Sequence, residues 1–196
     1  MKIHCKTILI AATLALCGNA TISCNGNNEA AKPQAENIDA EAVAETYATA
    51  IERYLTEEIA PNYAKGEVSI PSCTIVSTEE SDSNNIKVWG DFWVFNYNLS
   101  GDTLKTVSGG SHPGLMHIRK TANHFEVMAF DAVEDGSSYL PSAKRIFGDK
   151  FDAWQKISSD EKKREEVRAQ FISKYVKAHH IPATMYQDYG WDAVKF

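Results

Sequence analysis

Cysteine is scarce where it would count. Of the four copies, Cys5, Cys17 and Cys24 crowd into the first two dozen residues, and Cys73 stands alone in the remainder. A folded body that begins after residue 37 has no disulfide partner for Cys73, so its stability must come from a packed core. Cys73 itself reads as a small buried strand residue rather than a reactive thiol. Long apolar runs are equally rare. The longest, Thr7 to Cys17 (TILIAATLALC), is too short to cross a bilayer as a helix. Basic residues are outnumbered, 20 Lys+Arg against 26 Asp+Glu, for a net charge of −6. Losing the first 23 residues, with Lys2 and Lys6, makes the remainder more acidic still. That balance argues against nucleic acid or an anionic membrane surface as a partner. Internal repeats are absent, as are a GxSxG nucleophile elbow, a GKS or GKT phosphate triplet, a cysteine cluster and metal-ligand histidine spacing, so no metal and no cofactor is expected.

What is present begins with an export signal. Lys2 and Lys6 give a basic start, Thr7 to Cys17 an apolar core, and small residues follow in "GNATISCNGNN". Ser23 and Cys24, with Ile22 before them, resemble a bacterial lipoprotein signal, in which the cysteine becomes the lipidated N-terminus. Thr21 departs from that pattern. The resemblance implies a signal peptide over 1–23, lipidation at Cys24, and an exported protein anchored to the membrane on its periplasmic or cell-surface face. Ordinary cleavage after Ala20, with Gly18 two residues before it, is the alternative. Residues 25–37 ("NGNNEAAKPQAEN") hold no aliphatic side chain larger than alanine, so 24–37 read as lipidated cysteine and flexible tether. Residues 38–196 are left as a single domain.

That domain opens with a helix pattern from Asp39 to Ala60. Val43, Tyr47, Ile51, Tyr54 and Leu55 fall on one face, and Pro61 is the stop. From Glu67 to Asp135 the period changes to that of strands. "EVSIPSCTIVST" carries Pro71, which suits a sheet edge. "NNIKVWGDFWVFNYNL" is apolar on both faces: Ile86, Val88, Phe92 and Val94 on one, Trp89, Trp93, Phe95, Tyr97 and Leu99 on the other. Both faces of its sheet must therefore be covered. "SGD" and "TANH" turn the chain into two more strands, an antiparallel meander of four. The last third is helical, with a capping box at Ser158 and Glu161 ahead of a helix reaching Ala178. "DEKKREEVR" reads as its solvated face, and the apolar tail from Ile181 packs back on the domain. The expected class is α+β: an N-terminal helix on a curved four-stranded antiparallel sheet, with additional C-terminal helices. The order over residues 38–135 resembles cystatin-like and nuclear-transport-factor-like folds. Such folds imply a conical pocket that binds small apolar ligands, catalyses isomerisation or mediates assembly.

The stretch "SGGSHPGLMHIRK", Ser108 to Lys120, concentrates glycine, proline and histidine inside a strand and reads as a bend. Bends also occur at pocket rims, so His112 joins the aromatic face of Trp89, Trp93, Phe95 and Tyr97 as a ligand-binding candidate. Asp91 and Asp131 are candidate general acids or bases. The first lies between Trp89 and Trp93; the second shares a face with Phe125, Val127 and Ala129 if its strand is regular. Desolvation on an apolar face would raise either carboxyl, and His117 could assist. The leading reading is a lipoprotein whose domain binds a small, partly apolar ligand or serves as an accessory module of the cell envelope. The alternatives are an acid–base isomerase or hydrolase, and a purely structural module that works through an envelope protein partner.

Overall fold

Thr46 has extended backbone angles, and its hydroxyl accepts the Thr49 N–H at 3.3 Å, which starts helix α1 over Tyr47–Tyr54. The structure, a computed structural model, describes residues 45–196. The signal, Cys24, the tether and the first turns of the expected helix lie outside the described residues. Within them the helix does not run regularly to Pro61. Leu55–Ile59 is a π-turn in which the Ala60 N–H reaches back to the Leu55 carbonyl, and Ala60–Asn62 is a 3-10 turn that contains Pro61. Proline has no N–H to give and its ring crowds the carbonyl four residues before, so the preceding turn widens. The Asn62 side-chain amide then donates to the Glu58 and Ile59 carbonyls at 2.8 and 3.2 Å.

Four long strands follow: β1 (Val68–Glu79), β2 (Ile86–Ser100), β3 (Thr103–Lys120) and β4 (Phe125–Ala132). Each pairs antiparallel with its predecessor, and β1 is an edge, where Pro71 is tolerated. In place of the four-stranded, wholly antiparallel sheet expected from sequence, the described residues form a mixed sheet of six strands. After the helices the tail returns as β5 (Met185–Gln187), parallel to Thr103–Lys105 of β3, and β6 (Val194–Lys195) closes on β5. The Thr184 and Met185 N–H groups clip to the Asp102 carbonyl at 2.8 and 3.2 Å, and Tyr186 is buried. Three-residue strands have too little pattern to stand out in a sequence.

"SGGSHPGLMHIRK" lies inside β3, and it bends the strand. Asn96 pairs with Ser108 and Tyr97 with Thr106, which leaves Val107 as an extra residue. Next to it Gly109 has φ +135°, and a Cβ there would stand 2.2 Å from the Val94 carbonyl oxygen, so only glycine fits.

The alternation of β2 covers the sheet twice. Val88, Phe92 and Val94 meet Ile51 of α1 and Leu55 of the π-turn on one face. On the other lie α2 (Tyr139–Phe147), α3 (Phe151–Ser158) and α4 (Glu161–Ala178). Helix α4 is capped by Asp160, whose carboxylate accepts the Lys163 N–H at 3.0 Å; the Ser158 hydroxyl instead donates to the Gln155 carbonyl, so the expected capping box does not form. Among the described residues no helix is long and apolar enough to cross a membrane.

Candidate functional site

The helix-covered face is not uniformly apolar. At one end Trp89 packs with Phe147 and Trp154; at the other Tyr97 and Leu104 pack with Ile172 and Val176 of α4. Between these clusters the strands present Ser72 and Thr74 from β1, Asp91 and Trp93 from β2, and Ser111 from β3, which pair or lie diagonally across the ladder. Two turns of α4 cross this polar seam and leave a cavity of about 140 Å³, lined by Ser72, Thr74, Trp93, Glu161, Arg164, Glu165, Val167 and Arg168.

Each group in the seam has a distinct state. Ser72 is only 6% exposed, yet among the described residues no hydrogen bond uses its hydroxyl or that of Thr74. The Arg164 guanidinium lies over the Trp93 ring, 5.3 Å from its centroid, and its Nε is buried without an acceptor among the described residues. The ion pairs of α4 are Lys163–Glu166, Arg168–Asp188 and Lys174–Glu52, none of which uses Glu161, Arg164 or Glu165. Asp91 is 1% exposed and accepts a hydrogen bond from the Ser111 hydroxyl at 2.7 Å. Burial pushes its carboxyl up, against the opposing pull of Ser111, Trp93 and the charge of Arg164. Arg168, by contrast, is fully engaged. Its two terminal nitrogens donate to the two Asp188 oxygens at 2.8 and 2.9 Å, Nε donates to the Tyr97 hydroxyl at 3.0 Å, and the guanidinium stacks 4.0 Å from the Phe95 centroid.

The aromatic candidates therefore separate. Trp93 lines the cavity. Trp89 is core, with its indole N–H given to the Ile146 carbonyl at 2.9 Å and Lys150 over its ring. Phe95 and Tyr97 are held by Arg168, and burial pushes the Tyr97 hydroxyl up to about 12. His112 pairs with Phe92 and so faces α1, on the opposite side of the sheet from Asp91; it lies 2.9 Å from the Tyr63 hydroxyl, and burial lowers its pKa. Asp131 does not share a face with Phe125 and Val127. His117 pairs with Ala129 and Ile118 with Val127, so Met128 is an extra residue that reverses the alternation. Asp131 is turned out, its side chain 61% exposed and 3.1 Å from His117, which also meets Asn85 at 2.9 Å. The structure thus brings Asp131 and His117 together at the surface, and leaves Asp91 apart from both histidines.

Sequence reasoning missed Ser72, Thr74 and the inner side of α4. A signal existed: Arg164, Val167, Arg168 and Phe171 recur at three- and four-residue spacing, the stripe a helix turns toward its sheet. Among the described residues, no three His, Cys, Asp or Glu side chains converge as metal ligands would. No protein-family model, no curated protein and no solved structure matches the chain, so what this seam does has to be argued from its own chemistry.

Proposed function

We propose that this chain is an exported lipoprotein, anchored through Cys24, whose domain is a binding module of the cell envelope that takes a small ligand in the seam under α4. The observation that carries the ligand reading is the Arg164 Nε: buried and, among the described residues, without an acceptor, it borders a cavity that the Ser72 and Thr74 hydroxyls also line. Unmet polar groups of this kind cost stability and mark a place where a ligand restores what is missing. A cavity of this size suits a molecule of several non-hydrogen atoms, or one end of a larger molecule. The helix-then-meander order supports the likeness to cystatin-like and nuclear-transport-factor-like folds, to which β5, β6 and the second helical layer are additions.

Native mass spectrometry of the protein purified from its own kind of host tests the ligand reading. Supporting it would be a reproducible extra mass that is lost on denaturation and absent from Arg164→Gln protein. A mass retained equally by that variant would move the site elsewhere. Fractionation tests the anchor: Cys24→Ala protein is expected to leave the membrane fraction.

A second reading, docking of an envelope partner, draws on the turn between β5 and β6. Tyr189 and Trp191 stand 98% and 75% exposed there, an unusual display for two large aromatics. The acid–base reading has less support, because Asp91 is sealed beneath the helices and His112 lies across the sheet from it.

A further inference from the structure

The cavity is rimmed by charges of both signs: Glu161 and Glu165, which are exposed, and Arg164 and Arg168, which are half-buried. Glu161 and Glu165 are one helical turn apart on the same face of α4, a spacing at which like charges repel. Arg164 and Arg168 share that spacing. Arg168 is neutralised by Asp188, but none of the other three has an ion-pair partner among the described residues. Arg164 and Asp91 attract one another across the seam, and the burial of Asp91 works against the charge that would compensate the arginine. Beneath and beside these groups stand two hydroxyls without hydrogen-bond partners among the described residues, Ser72 and Thr74, and the apolar surfaces of Trp93 and Val167.

From this arrangement we infer that the seam binds a small zwitterion, of which an α-amino acid with a short apolar side chain is the simplest form. The inference rests on the ligand-binding reading above and names the ligand's class. The carboxylate goes to Arg164, which has only donors, and to the Ser72 and Thr74 hydroxyls, each of which can donate one hydrogen bond. The ammonium goes to Glu161 and Glu165, whose mutual repulsion it relieves. The short side chain lies against Trp93 and Val167. A simple anion would satisfy the arginine and leave the glutamates repelling, and a simple cation would do the reverse. A molecule carrying both charges a few bonds apart answers the whole lining. The volume sets the scale: a closed cavity of roughly 150 Å³ is filled by a six-carbon ring, so about 140 Å³ holds the six non-hydrogen atoms of alanine, and the two further carbons of valine would extend through the open side of the cavity.

Isothermal titration of the purified full-length chain with L-valine, propionate and propylamine, each alone, tests this. Saturable binding of L-valine is expected, about tenfold or more tighter than either half-probe, because each half forgoes one set of charge-assisted hydrogen bonds. Arg164→Gln and Ser72→Ala are expected to weaken L-valine by about tenfold or more with the melting temperature kept. Glu161→Gln with Glu165→Gln should reduce the preference for L-valine over propionate. If propionate binds as tightly as L-valine and is lost in Arg164→Gln, the zwitterion proposal fails while the ligand-binding reading stands. If no probe binds and native mass spectrometry of host-purified protein shows no releasable mass, both fail. L-Valine binding unaffected by Arg164→Gln would place the site outside the seam and overturn the proposal.

Discussion

The bond set around Arg168 gives the sharpest test of how this domain holds together. Arg168 of α4 and Asp188, just past β5, form a two-point ion pair, and Thr106 of β3 donates to the same carboxylate at 2.6 Å and accepts from Arg168 at 3.0 Å. One group of residues thus fastens helix, sheet and returning tail. The perturbation is Asp188→Asn, which keeps the shape and one acceptor but removes the charge. Breaking a fully buried pair costs about 3–5 kcal/mol, and an exposed pair is worth about 1 or less. Here the arginine side chain is 12% exposed and the aspartate 38%, so solvent screens one partner and the expected loss is about 2 kcal/mol. For a domain of this size that lowers the melting temperature by roughly 4–8 °C.

The loss should depend on pH with a definite sign. Burial raises the Asp188 carboxyl, but hydrogen bonds from Arg168 and Thr106 outweigh it and hold the group below the usual carboxylate range. A depressed pKa contributes stability above its unfolded value, about 3.9, and loses it as pH falls through the lower folded value. Calorimetry of both proteins from neutral pH to about pH 3 should therefore show the widest gap near neutrality and a narrowing gap on acidification. Arg168→Lys should cost a similar amount, because a lysine cannot span both Asp188 oxygens, Thr106 and the Tyr97 hydroxyl while stacking on Phe95. A melting temperature for Asp188→Asn within about 1 °C of the parent at neutral pH would refute the reasoning, as would a gap that does not narrow in acid.

Gly109→Ala should prevent stable folding, since φ is +135° and the new Cβ meets the Val94 carbonyl at 2.2 Å; Gly101→Ala, at φ +64° with open space around it, should cost only about 1–2 kcal/mol by thermal melts. Asp91→Asn keeps an acceptor for Ser111 and removes a carboxyl that burial pushes up; a raised folded pKa makes stability fall as pH rises through the window above the unfolded value, so the variant should melt higher than the parent at neutral pH, with the difference shrinking as pH drops to the ordinary carboxylate range. Burial pushes the Cys73 thiol up to about 11, so alkylation at pH 8, followed by peptide mass spectrometry, should leave Cys73 unmodified in the folded protein and modify it after denaturation.

What the sequence revealed tracks how local each signal is. The two apolar faces of β2 follow from strand alternation alone, and they correctly demanded cover on both sides. Pro71 announced an edge because a missing N–H is a property of one residue. The bend in β3 was legible in its glycines. The parity of β4 was not: a single extra residue at Met128 reverses every side chain beyond it and leaves no compositional trace, so Asp131 moved from an expected apolar face to an exposed contact with His117. The Arg168–Asp188 pair joins residues with a helix end and a turn between them, which no periodicity links. The charged stretch opening α4 was read as solvated because its charge density hid the inner stripe on which Arg164 and Arg168 lie.

That stripe bears on why the seam exists at all. The two apolar clusters on the helix-covered face are separated by hydroxyls, a buried carboxylate and an unpaired arginine, at the centre of a sheet face that strand propensity would fill with Val, Ile and aromatics. Replacing a buried polar group by an apolar one of similar size is often neutral or stabilising, so selection for stability alone would close such a gap. Helix α4 could have been drawn down over valines at positions 72 and 74. It instead lies over a cavity beside an arginine that stacks on Trp93 and whose Nε has no acceptor among the described residues. The stability forgone is concentrated in one place, between rigid strands and a capped helix, where a ligand would meet preset donors, and this concentration favours a binding role for the seam over a packing fault.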